Sequence, residues 1–168
     1  MKQLTRKQKH APRKAAVILL AVVLALLAVG CGKQAGTVQQ GTLNEEGALV
    51  IPVSEITSDP QFYALTINDT EMQVIAVRAP DSTIRTAFNT CQVCYSSGRG
   101  YYQQDGDVLV CQNCGNRFAM DRVEVESGGC NPWPIFDDYK TTDDEQVVIS
   151  AEYLQAATVL FANWKTAV

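Results

Sequence analysis

Short runs in which apolar and polar positions alternate occupy most of the chain after residue 47, and a period of two marks half-buried strands. Residues 48–56 (ALVIPVSEI) alternate from Leu49 onward and predict a strand, with Pro52 placing it at a sheet edge. Residues 62–67 (FYALTI) and 72–77 (MQVIAV) predict two more, joined by the turn sequence Asn68-Asp69-Thr70-Glu71. A second turn, Pro80-Asp81-Ser82, leads into a strand over 83–88 (TIRTAF). Residues 100–104 and 107–110 flank Asp105-Gly106, a hairpin signal, and 147–149 predict a last short strand. The period then changes. Leu154, Ala157, Phe161 and Trp164 fall on one face of a helix over 151–166, with Ser150 as its N-cap and Glu152 in its first turn. The pattern predicts a mainly β fold, a small sandwich carrying one C-terminal helix.

The first thirty residues follow another logic. Residues 1–14 are basic, 15–29 (AAVILLAVVLALLAV) are uninterrupted apolar, and Gly30-Cys31-Gly32 follows. Fifteen residues make a helix of about 22 Å, shorter than the ~30 Å hydrocarbon layer, which favours an export signal over a permanent span. Ala28-Val29-Gly30-Cys31 resembles the lipobox of bacterial lipoproteins, and that resemblance implies cleavage and lipid attachment at Cys31. An uncleaved anchor helix is the alternative. Either tether leaves the basic end inside and the body on the extracytoplasmic face of a bacterial cell membrane. Residues 32–47 (GKQAGTVQQGTLNEEG), rich in glycine and glutamine, read as a flexible linker. The expected division is thus 1–31 signal or anchor, 32–47 linker and 48–168 domain.

Charge narrows the partners. Six of the 14 Lys and Arg lie in the leader, so from Cys31 onward eight basic residues face all 18 acidic ones, a net of −10. Phosphate contacts need clustered cations, and nucleic acid is excluded as a partner. The only histidine is His10, in the leader. That removes Ser-His-Asp and Cys-His catalysis, zinc-protease motifs and any imidazole ligand from the body. No catalytic motif remains, and a redox carrier or metal-binding protein is expected instead of an enzyme.

Five of the six cysteines lie within residues 91–130. They are spaced C-x2-C (Cys91, Cys94), sixteen residues, C-x2-C (Cys111, Cys114, the latter followed by Gly115), then Cys130, with fifteen residues between it and Cys114, in a Gly-Gly-Cys-Asn-Pro turn. Two C-x2-C pairs at this separation have the spacing of a tetrathiolate metal site. Such a turn lets two thiolates converge while backbone N–H groups point at the sulfurs. Gly115 supplies the positive φ that the second turn needs. A hairpin between the pairs returns the chain to its start and sets the pairs opposite each other. Cys130 stands open as ligand, exchangeable thiol or half of a disulfide. Disulfides remain an alternative for an exported domain. Thiol redox catalysis fits less well, because a catalytic C-x2-C opens a helix.

Two resemblances attach to these residues. T-A-F-N-T-C-Q-V-C-Y, G-Y-Y-Q, C-Q-N-C-G-N-R-F and G-G-C-N-P-W-P-I, within 48–168, resemble the FtrD-like family of membrane iron–sulfur proteins. The resemblance implies an iron–sulfur cluster on Cys91, Cys94, Cys111 and Cys114 with Cys130 modulating it. It also implies electron transfer or iron handling for an uptake system, with an iron permease and redox proteins as partners. The order of ligand pair, C-x2-[ligand]-G-x-x-F, glycine pair and Pro-x-Pro, with Phe118, Gly128 and Pro134 in place, resembles a Rieske domain in which cysteine replaces both histidines. All-thiolate ligation makes such a centre lower in potential. Two other readings stand beside these. One is a zinc-ribbon-like or disulfide-stapled interaction module. The other is a lipoprotein that captures iron with the acidic stretches Asp137-Asp138 and Asp143-Asp144-Glu145.

Overall fold

A computed structural model of the chain describes residues 36–166, and the fold is mainly β with one short C-terminal α-helix. The signal or anchor segment and Cys31 lie outside the described residues. Among those described, no helix is long and apolar enough to cross a membrane.

The centre is a five-stranded sheet. It contains β1 (Thr37–Gln40), β4 (Gln61–Ile67), β5 (Thr70–Arg78), β6 (Ile84–Cys91) and β10 (Pro132–Pro134), in the order β1-β4-β5-β6-β10. Asn68 and Asp69 form the two-residue loop between β4 and β5, both at positive φ (48° and 62°), which short polar side chains tolerate in such hairpins. On one face lies a four-stranded sheet of β2 (Thr42–Leu43), β3 (Leu49–Pro52), β11 (Lys140–Thr142) and β12 (Gln146–Ile149), in the order β11-β12-β3-β2. The C-terminal helix α1 (Ala151–Ala157) packs there too. On the other face lies a three-stranded sheet of β7 (Tyr102–Asp105), β8 (Val108–Cys111) and β9 (Arg117–Ala119).

The side-chain alternation distributes the core between these layers. Tyr63, Leu65, Met72, Val74 and Phe88 point to the larger core with Leu49, Ile51, Val147, Ile149, Leu154 and Phe161. Phe62, Ile75, Val77, Ala87 and Cys91 point to the second core with Tyr102, Leu109, Cys111, Phe118 and Val123. Residues 72–77 are therefore buried on both faces, the pattern of a strand covered from both sides.

Several expectations are corrected. The flexible linker expected over 32–47 gives way, in its described part, to paired strands. Thr37–Gln40 pairs in parallel with β4, and Thr42–Leu43 pairs with β3. Glycine there serves close approach: a Cβ on Gly41 would stand 2.3 Å from Leu65 Cδ2 and 3.0 Å from Leu49 Cδ1, so the crossing between the two sheets needs a bare backbone. Pro52 does not place its strand at an edge. β3 is flanked by β12 and β2, and Pro52 ends it beyond the reach of β2, where the chain turns into a 3-10 turn over Val53–Glu55. The second hairpin is centred one residue later than expected, on Gly106-Asp107, with Gly106 at φ 65°. The helix begins as expected, Ser150 Oγ accepting the Tyr153 amide at 3.3 Å, but passes into a 3-10 turn over Thr158–Phe161. Packing of Phe161 on Phe88 (5.8 Å between rings) and donation from Trp164 Nε1 to the Asn89 carbonyl (2.8 Å) outweigh a further α turn.

Candidate metal centre

The central sheet and the three-stranded sheet bring the two C-x2-C turns together. Cys91 is the last residue of β6, and its turn leads into a 3-10 turn over Tyr95–Ser97. Gly98 (φ 77°) and Gly100 return the chain so that the Cys91 amide donates to the Gly100 carbonyl at 2.6 Å. Gly100 has no room for a side chain, since a Cβ would lie 2.3 Å from the Cys94 carbonyl oxygen. Cys111 is the last residue of β8 and sits opposite Tyr102. Its turn closes through the Gly115 amide to the Cys111 carbonyl (2.9 Å), with Gly115 at φ 73° as the sequence requires. The Cys94 amide donates to Cys91 Sγ at 3.4 Å. The amides of Asn113 and Cys114 likewise face Cys111, and that of Asn116 faces Cys114.

Cys130 joins them. Its sulfur lies 3.5 Å from Cys114 Sγ, and its carbonyl accepts from Tyr102 Oη at 2.7 Å and Asn116 Nδ2 at 2.9 Å. Gln92, inside the first turn, holds both flanks of this loop: its Oε1 accepts the Gly128 amide and its Nε2 donates to the Pro132 carbonyl. All five sequence-predicted sulfurs are thus gathered as free thiols, Cys91, Cys94 and Cys111 buried and Cys114 exposed. Cys91, Cys94 and Cys130 form one group with sulfurs within 4.8 Å of one another, and Cys94, Cys111 and Cys114 form a second.

The thiols divide protons unequally. The Cys111 S–H bonded to Cys91, aided by the neighbouring Tyr102 hydroxyl and the Cys94 and Val93 amides, pulls Cys91 down to about 4 although burial opposes it. The same bond and then burial push Cys111 upward. The Asn116 amide lowers Cys114, burial raises Cys94, and contact with Cys114 together with burial pushes Cys130 up to about 12. Two like charges about 4 Å apart cost about 4 kcal/mol at an effective dielectric of 20, so five thiolates cannot coexist here without a cation. A metal ion removes that repulsion, and its binding displaces the protons.

Reading the sequence missed the scaffold beneath the sulfurs. Asn89 Nδ2 donates to Gln73 Oε1 (2.7 Å) and to the Tyr102 carbonyl (3.2 Å), while its Oδ1 accepts the Tyr102 amide at 2.7 Å. These three residues are buried and link β5, β6 and β7. The available signal was a glutamine inside the apolar run 72–77 and an asparagine two residues before the first cysteine. A second buried contact anchors the chain leading to Cys130: the Lys140 ammonium pairs with Glu124, whose carboxylate also accepts the Thr86 amide at 2.7 Å. Glu124 is at φ 65°, a conformation held by these bonds. The acidic stretch at Asp143 has a local role, its carboxylate accepting the amides of Glu145 and Gln146 at 2.8 Å each.

A family model described as "Membrane iron-sulfur containing protein FtrD-like" matches residues 57–161, well over half of the chain and all five clustered cysteines. The chain belongs to the FtrD-like family. No curated protein matches it. Iron–sulfur and membrane association come with the family, and the donor set of this FtrD-like chain suits the former. Five thiols converge, no histidine lies among the described residues, and backbone N–H groups are already aimed at the sulfurs.

Proposed function

We propose that this FtrD-like chain is an iron–sulfur protein tethered to the extracytoplasmic face of a bacterial cell membrane. It would carry electrons or handle iron for an iron-uptake system. Cys91, Cys94, Cys111 and Cys114 supply ligands, and Cys130, in contact with Cys114, adjusts or completes the set. The bound centre would supply one-electron chemistry. The chain's own residues gather and desolvate the thiolates and leave the Cys114 edge exposed for exchange with a redox partner. An iron permease and redox proteins are the proposed partners, and lipid at Cys31 or an uncleaved leader helix the proposed tether. The observation that carries this reading is the convergence of five free thiols in a chain of this family.

The two cysteine turns, one ending β6 and the other ending β8 of the three-stranded sheet, also suit a structural zinc site of the ribbon kind, which is the second reading. Full chain purified in detergent without oxygen separates the two. Iron with stoichiometric acid-labile sulfide and a visible charge-transfer spectrum that bleaches on reduction is the expected result. Stoichiometric zinc without sulfide, or disulfides between the cysteines by mass, would overturn the iron–sulfur assignment.

A further inference from the structure

We propose that the groove between β1 and β7, rimmed by Val38, Tyr101 and Lys165, rests on the phospholipid surface to which the chain is tethered. The proposal rests on the membrane-tether reading above and names the face of the body that meets the lipid.

The length of the tether carries the first step. β1 begins at Thr37, and Gly36 already packs so closely that a Cβ on it would stand 2.2 Å from the Phe62 ring. Four residues separate Gly36 from Cys31, and that chain reaches about 18 Å at full extension. With an uncleaved leader the apolar run ends at Val29, and the reach is about 25 Å. A domain of this size is roughly 35 Å across. Neither tether lets the body stand clear of the bilayer or turn its far side to it, so the surface beside Gly36 is what the lipid meets.

The groove starts at that point. Gly36, Val38, Phe62, Tyr101, Gln103 and Lys165 line one cavity of about 190 Å³, between an outer strand of the central sheet and an outer strand of the three-stranded sheet. Val38 is 62% exposed. Lys165 Nζ lies 5.1 Å over the Tyr101 ring and 4.1 Å over Trp164, and the two rings meet edge to face at 6.3 Å. Aromatic rings that hold a lysine suit a membrane interface, where the rings sit at headgroup depth and the ammonium reaches phosphate.

Charge selects the occupant. The chain from Cys31 onward carries a net −10, yet no Asp or Glu lines this groove and one lysine does. Glu71 acts on Lys165 from outside the lining. The net-acidic body can therefore lie against anionic headgroups here without setting like charges face to face. The amide of Gln112, inside the second cysteine turn, donates to the Tyr101 carbonyl at 2.8 Å, which brings that turn near the bilayer as well.

The test uses the full chain reconstituted in phosphatidylcholine–phosphatidylglycerol vesicles that carry a phospholipid with a diazirine near its headgroup. On illumination the diazirine loses dinitrogen, the carbene inserts into a C–H, N–H or O–H bond of whatever it touches, and peptide mass spectrometry locates the adducts. Adducts are expected on residues 37–40, 101–104 and 164–166. Phe136 and Tyr139, 41% and 42% exposed beyond β10 at the opposite edge of the central sheet, are the control and should stay unlabelled. Lys165→Glu should cut the adducts about fivefold or more, the factor one cation near an anionic bilayer contributes. Val38→Asp should act in the same direction, and both variants should still float with the vesicles. Adducts on Phe136 and Tyr139, or spread evenly over the body, would overturn the proposed face and leave the tether standing. Chain-to-chain links through Lys165 with an amine-reactive reagent, in place of lipid adducts, would give the groove to a second copy and also overturn it. A chain that fails to float would overturn the tether reading and the proposal with it.

Discussion

Asn89 offers the sharpest test of how the site is supported. It bonds Gln73 Oε1 and both backbone groups of Tyr102, from a position 1% exposed. Asn89→Leu keeps a side chain of similar size but strips three polar groups of their partner inside a closed layer. Each buried group left unsatisfied costs about 1–3 kcal/mol. Because neighbours relax and share the loss, we expect a total of about 3–5 kcal/mol, a large fraction of the ~5–15 kcal/mol that holds a domain folded. The hairpin β7-β8, which delivers Cys111 and Cys114, hangs on the same bonds, so metal retention should weaken as well. Urea unfolding of the reduced, metal-free chain, followed by Trp133 and Trp164 fluorescence, reads the stability directly. Adding Gln73→Leu removes one orphaned acceptor, so the double variant should be less damaged than the sum of the singles by about 1 kcal/mol or more. A loss below about 1 kcal/mol for Asn89→Leu, or strict additivity, would refute the claim that this network supports the centre.

Other substitutions probe separate parts of the argument. Gly100→Ala drives a methyl group into the Cys94 carbonyl and should cost about 3 kcal/mol or more with loss of metal, whereas Gly115→Ala meets open space and should cost only the ~1–2 kcal/mol of its positive φ; comparing their urea midpoints and metal content checks both. Lys140→Met leaves the Glu124 carboxylate unpaired where Lys140 was 1% exposed, and should destabilise by about 3–5 kcal/mol in thermal unfolding with little dependence on salt. Removing the metal with a chelator under reducing conditions should lower the melting temperature, and Cys91→Ser should shrink that difference, since a group that binds only the folded state stabilises it.

The chain's patterning was informative wherever a signal was local. The β-type runs at 62–67 and 72–77, the Asn68-Asp69 turn, the Ser150 cap and the buried stripe Leu154, Ala157 and Phe161 follow from periodicity and from side chains that act on their own backbone. The spacing of Cys91, Cys94, Cys111 and Cys114, with a hairpin between the pairs, was enough to expect the sulfurs to converge, because turn geometry and chain return are short-range matters. What sequence alone could not reach was long-range. Residues 37–43 are mostly polar and broken by Gly41, and only the edges of β4 and β3, supplied by distant chain, turn them into strands. The place of Cys130 depended on hydrogen bonds from Gln92, Tyr102 and Asn116, which lie 14 to 38 residues away and carry no mark of that role. The contact of Cys130 with Cys114 emerged only once the layers were packed together. A side chain's neighbours along the chain set its local conformation, but which sulfurs meet is decided by the layers that press them together.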